Sequence, residues 1–146
     1  MECENMEEIV IVWNNEETPE QAGFVNSPSW KRPVIFLKTP KNSMDNRYLL
    51  PSESKAKIFF NLDDDIHTSC EELNNSFGVW RKHTLGDIGP LVGYAKRTFN
   101  YNAAKTTFSN DNPFDGEFYS YILIGYCWIP RHFLEIYNAQ KSWEVR

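Results

Sequence analysis

The stretch "IFFNLDDDIHT", Ile58 to Thr68, sets three carboxylates directly behind an apolar run. Such a run reads as a buried strand, whose side chains alternate between two faces. On that geometry Asp63 and Asp65 share one side while Asp64 takes the other. Like charges this close repel at a cost, unless a cation neutralises them or one takes up a proton. Hard divalent cations such as Mg²⁺ or Mn²⁺ accept oxygen ligands, commonly one or two carboxylates completed by substrate phosphates. In an open α/β sheet the ligand crevice lies at the carboxyl ends of the strands, where these aspartates fall. A solvated turn leading to the next element is the competing reading, and the triplet alone leaves both open. A calcium loop is disfavoured, because the Asp-x-Asp-x-Asp-Gly spacing and the distal Glu are absent.

Working outward, Ser69 with Glu72 three residues later predicts a capping box and a helix start. Leu73, Phe77 and Trp80 then repeat on one helical face, and Gly78 predicts a short helix. Upstream, "EIVIVW" (Glu8 to Trp13), "VIFL" (Val34 to Leu37) and "AKIFFNL" (Ala56 to Leu62) predict strands. Residues 14–33 between the first two are dense in turn and breaker residues and read as a surface loop. "KNSMDNRYLLP", Lys41 to Pro51, has room for a helical turn or two. Downstream, "PLVGYA" (Pro90 to Ala95) and "SYILIGYCWI" (Ser120 to Ile129) predict further strands. The polar segment Asn100 to Phe118 between them reads as turns. Pro130 opens a last helix with Phe133, Leu134 and Tyr137 on one side. Strands alternating with helical or loop connections predict an α/β layer structure with a mainly parallel sheet.

The 146 residues make one domain's worth of chain, rich in aromatics with 10 Phe, 7 Tyr and 5 Trp. Fifteen Lys and Arg against 20 acidic residues leave a net charge of −5, which argues against nonspecific nucleic-acid binding. It also means that an anion site would need a cation. No apolar run reaches membrane-span length, and the start MECENMEEI lacks a signal pattern, so the literal chain reads as soluble and unsecreted. Cys3, Cys70 and Cys127 are too few and too scattered for a disulfide framework or a zinc site. One sequon, Asn74-Asn75-Ser76, matters only in the secretory pathway.

The ordered series "IVIVWNN", "NSMDNR", "NLDDDI", "FGVWRK", "LVGYAKR" and "YILIGYCWI" resembles the motifs of exostosin-type glycosyltransferases. These are the C-terminal catalytic domains of heparan-sulfate polymerases and exostosin-like N-acetylhexosaminyltransferases. The resemblance runs from about Ile9 to Tyr137. It implies a GT-A-like fold, in which a Rossmann-like nucleotide half joins an acceptor half. It implies retaining, Mn²⁺-dependent (or Mg²⁺-dependent) transfer of an N-acetylhexosamine or hexuronic acid from a UDP-sugar to a glycan or glycosaminoglycan acceptor. It also implies a membrane-associated enzyme on the lumenal side of the Golgi or endoplasmic reticulum.

By the same resemblance Asn14 and Asn42 contact the nucleotide, and Arg47 lies near it. Asp63, Asp64 and Asp65 match the Asp-x-Asp element, with Asp65 the direct metal ligand and Asp63 nearer the uridine ribose. Arg97 matches an arginine that faces the acceptor side. From the residues alone, the favoured readings are an ordinary turn for Asn14 and Asn15 and a surface ion pair for Arg47. His67 reads as a loop histidine and Trp13 and Trp80 as core. The family pattern has a strand before "VIVWNN" and an acidic segment with a catalytic carboxylate after the last helix. Residues 1–146 are therefore expected to form one partial domain in which no catalytic residue can be placed. Family members carry small residues after the glycine of "GYCW", so Tyr126 is expected to crowd the acceptor region. A non-catalytic relative that binds only nucleotide or metal is the alternative.

Overall fold

Ile9–Trp13, a run of β-branched residues ending in Trp, forms β1, and Val34–Lys38 forms β2. A computed structural model describes residues 3, 5–24, 30–86, 88–111 and 120–141. The predicted loop at 25–29 and the predicted turns at 112–118 lie outside those residues. The chain divides into two compact units, Met1–Lys57 with Arg131–Arg146, and Ile58–Pro130.

In the first unit β1 and β2 pair in parallel, from Ile9 opposite Val34 to Trp13 opposite Lys38. The Trp13 ring meets Phe24 and Phe36 edge-on at 5.4 and 5.9 Å, but the tryptophan expected as core is half-buried and Phe24 beside it is exposed. After β2 the chain enters a 3₁₀ helix, Met44–Tyr48, the predicted helical turn. Ser43 caps it, its hydroxyl accepting from the Asp45 N–H. The second helix of the molecule, α2 (Arg131–Lys141), packs here. Its Tyr137 ring lies 4.4 Å from Tyr48, and Asn138 Nδ2 donates to the Tyr48 carbonyl at 2.8 Å. Of the predicted apolar trio, Leu134 is buried and Phe133 is 38% exposed. Cys3 is disulfide-bonded.

In the second unit Ile58–Leu62 (β3), Val92–Gly93 (β4) and Tyr126–Pro130 (β8) form an antiparallel sheet with β8 in the centre. Central placement explains why Cys127, Trp128 and Ile129 are its buried apolar residues. Helix α1 (Cys70–Lys82) covers the sheet. Phe77 stacks on Trp80 and reaches Trp128 at 5.2 Å, and Trp128 Nε1 donates to Ser76 Oγ at 2.9 Å. The predicted capping box is present at Ser69 and Glu72, and the helix runs 13 residues through Gly78. Cys70, at its start, is disulfide-bonded. A second sheet sets Lys96–Asn102 (β5) between Thr107–Asp111 (β6) and Tyr121–Ile122 (β7).

Three expectations are corrected. Among the described strands only β1 and β2 pair in parallel; the other ladders are antiparallel. An apolar run reports burial, whereas direction is set by the connection, and the tight turn at 103–106 permits only an antiparallel hairpin. The segment read as polar turns is in part that hairpin, β5 and β6. The run Ser120 to Ile129 is also two strands, broken by a turn at Ile124 and Gly125.

Candidate functional site

In the first unit, Asn14 and Thr39 stand immediately past the carboxyl ends of the two parallel strands. The Thr39 N–H donates to the Trp13 carbonyl at 3.1 Å, which keeps the two strand ends in step. The Asn14 side-chain oxygen, Oδ1, accepts from Asn46 Nδ2 at 2.7 Å and from the Thr39 hydroxyl at 2.8 Å. Asn46 Nδ2 also donates to the Lys41 carbonyl at 2.7 Å. Thr39 and Asn46 are buried, whereas Asn14 is exposed. Asn42 is exposed in the loop between Thr39 and the 3₁₀ helix. Arg47 sits half-buried in that helix, its Nε donating to the Met44 carbonyl at 3.2 Å. The end of the parallel pair thus gathers Asn14, Thr39 and Asn46 around one part-buried hydrogen-bonded knot, with Asn42 and Arg47 on the same connection.

In the second unit, β3 stops at Leu62 and the aspartates form a turn rather than more strand. The Asp63 N–H donates to the Gly125 carbonyl at 2.8 Å, and the Asp63 carbonyl accepts from the Ile66 N–H at 3.2 Å. The alternation that sets Asp63 and Asp65 on one face therefore does not apply, because it needs extended backbone. Asp63 is half-buried, while Asp64 and Asp65 are exposed and have no partner among the described residues. The Asp63 carboxylate lies directly over Gly125, where an added Cβ would sit 2.1 Å from its Oδ2. Only glycine leaves room for it. Beside the turn, the Tyr126 hydroxyl donates to Thr68 Oγ1 at 2.6 Å, and the Tyr126 ring packs on Tyr94 and Phe60. Burial raises the Tyr126 pKa above its ordinary value. His67 is an exposed loop residue, and Arg97 lies half-buried in β5.

Three residues of these clusters carry no sequence signal of their own: Thr39, Asn46 and Gly125. Asn46 stands inside "NSMDNR", but which of its asparagines turns inward depends on a contact 32 residues away. The donor chemistry of the acidic turn suits a hard cation. Among the described residues no cluster of three or more His, Cys, Asp or Glu side chains converges on one point. A cation here would take one or two carboxylates and complete its shell with phosphate oxygens and water.

The whole chain, residues 1–146, matches the glycosyl transferase family 64 domain. The chain belongs to that family, and the exostosin-type resemblance is borne out. It is 27% identical over 141 residues to glucosamine inositolphosphorylceramide transferase 1 of Arabidopsis thaliana, covering 96% of this chain and 17% of that protein. The enzyme of the same name from Oryza sativa subsp. indica is 35% identical over 87 residues, 60% of this chain and 11% of the relative. Mouse exostosin-like 2 is 27% identical over 142 residues, 94% of this chain and 43% of the relative. The chain thus spans less than half the length of each of these relatives.

Proposed function

We propose that this chain belongs to a glycosyltransferase that moves a sugar, an N-acetylhexosamine or a hexuronic acid, from a UDP-sugar to a glycan acceptor. The reaction is retaining and Mn²⁺-dependent (or Mg²⁺-dependent), on a GT-A-like fold. The observation that carries this reading is the family match along the full 146 residues. Asn14 and Asn42 take the nucleotide, since an amide suits the edges of a base or ribose. Arg47 offers a fixed cationic fork to phosphate oxygens in an acidic chain. Asp63, Asp64 and Asp65 hold the cation, Asp65 as direct ligand and Asp63 nearer the ribose. When bound, the cation supplies Lewis-acid neutralisation of charge on the leaving diphosphate. The disulfide-bonded state of Cys3 and Cys70 supports an oxidising compartment, in keeping with a lumenal site in the Golgi or endoplasmic reticulum. Among the described residues no helix is long and apolar enough to cross a membrane.

Calorimetry tests the reading. UDP binds in the presence of Mn²⁺ and not in its absence, and Asp65→Asn removes that binding. Equal UDP affinity with and without the metal overturns it. Binding without any UDP-sugar hydrolysis or transfer identifies a non-catalytic relative instead. For the acceptor, the 35% identity to the rice protein favours a second reading, in which an inositolphosphorylceramide takes the sugar. Offering both acceptor classes to the same enzyme decides between them.

A further inference from the structure

The knot past the parallel strands fixes more than the position of Asn14; it fixes which half of the amide faces outward. Asn46 Nδ2 lies 2.7 Å from the Lys41 carbonyl, an acceptor only, so the buried Asn46 amide must turn its nitrogen that way. That same nitrogen lies 2.7 Å from the Asn14 side chain, which must therefore meet it with its oxygen. The Thr39 hydroxyl makes its shortest contact, 2.8 Å, to the same oxygen, against 3.2 and 3.3 Å to the Trp13 and Lys41 carbonyls, so its one proton goes to Asn14. With Oδ1 engaged by two donors, Asn14 has its Nδ2 left over. Among the described residues nothing accepts from Nδ2, and the residue is exposed.

We infer that Asn14 is a donor-only contact that recognises an acceptor oxygen of the nucleotide, and that Asn46 and Thr39 are positioning residues which impose this polarity. The inference rests on the donor-binding reading above and specifies its chemistry. An unrestrained asparagine can turn either face to a ligand, but this one cannot accept a hydrogen bond without breaking the knot. It therefore selects carbonyl, ribose or phosphate oxygens and rejects a ligand donor at that point.

Asn14→Asp isolates the claim. The carboxylate still accepts from Asn46 and Thr39, so the unfolding midpoint is expected to stay unchanged. The outward group has turned from donor to acceptor, so UDP affinity in Mn²⁺ is expected to fall at least tenfold. Full UDP affinity in Asn14→Asp overturns the inference and leaves the donor-binding reading standing. Failure of the unsubstituted chain to bind UDP overturns both. Positioning is read from a cycle, in which Asn46→Ala weakens UDP binding in the native background and adds nothing in an Asn14→Ala background. Equal losses in the two backgrounds sink the positioning role. Thr39→Val, nearly isosteric, runs the same cycle should Asn46→Ala fail to fold. Uridine and inorganic pyrophosphate identify the oxygen. A loss kept with uridine assigns it to base or ribose, and a loss kept only with pyrophosphate assigns it to phosphate.

Discussion

Glu72 and the Asp64–Asp65 pair are carboxylates on one short stretch of chain, and their surroundings are opposite. Glu72 Oε2 accepts from the Ser69 N–H at 2.7 Å, from the Ser69 hydroxyl at 3.0 Å and from Thr68 Oγ1 at 3.4 Å. The Ser69 N–H first, and then its hydroxyl, hold the Glu72 carboxyl below its ordinary pKa. Asp64 and Asp65 face water with no such partners among the described residues. Asp63 lies between these extremes, half-buried and wedged over Gly125. The contrast teaches how to separate structural acid from reserved acid. Glu72 is committed to closing a helix start, whereas the two outer aspartates contribute charge that the fold does not use.

The largest effect is expected where the turn is tightest. Gly125→Ala puts a Cβ 2.1 Å from Asp63 Oδ2 and 2.6 Å from its Cγ, so the carboxylate must move. Overpacking of this kind costs about 1–3 kcal/mol, which urea unfolding measures. Removing the clashing group should cancel most of that cost, so Gly125→Ala is much milder in an Asp63→Ala background. An equal cost in both backgrounds shows that Asp63 is not what the glycine accommodates.

A smaller effect is expected at Glu72, and it carries a pH signature. The folded-state pKa of Glu72 lies below its value of 4.5 in the unfolded chain. Its contribution is therefore complete above that value and is lost as pH falls through the folded-state pKa. Glu72→Gln keeps a capping side chain without the titration. The native protein should lose more of its thermal midpoint between neutral pH and pH 3 than the variant does. Parallel pH profiles break the comparison, because they make Glu72 as idle as its neighbours.

Local signals carried into the structure and long-range ones did not. The β-branched run of β1 and the Ser69–Glu72 pair each act within a few residues, so both were legible. The hairpin Lys96–Asp111 was not, because its asparagines carry a turn signature while each strand takes its stability from the other. Strand direction is not legible in the sequence, because apolar runs have no polarity. At the candidate site, Asn14, Asn42, Arg47 and the aspartates were reached through family resemblance, since each alone is an ordinary polar residue. The partners that give Asn14 its orientation sit 25 and 32 residues away, beyond any spacing rule. The facing of the aspartates is not legible for a local reason: the strand ends at Leu62, whereas the alternation needs extended backbone through Asp65.

The smallest effect on stability is expected where the largest effect on ligand binding is. Asp64→Asn and Asp65→Asn remove charge from an exposed turn whose hydrogen bonds run through backbone, the Asp63 N–H to Gly125 and the Ile66 N–H to Asp63. Surface changes away from packing and caps stay within about 0.5 kcal/mol, and relief of like-charge repulsion pushes the sign toward stabilisation. The same Asp65→Asn is expected to abolish Mn²⁺-dependent UDP binding. A substitution that disturbed the fold at this turn would lower stability and binding together, whereas Asp65→Asn is expected to lower binding alone. If Asp65→Asn unfolds the protein at markedly lower urea, the turn is structural acid after all, and the loss of UDP binding no longer argues for a metal ligand.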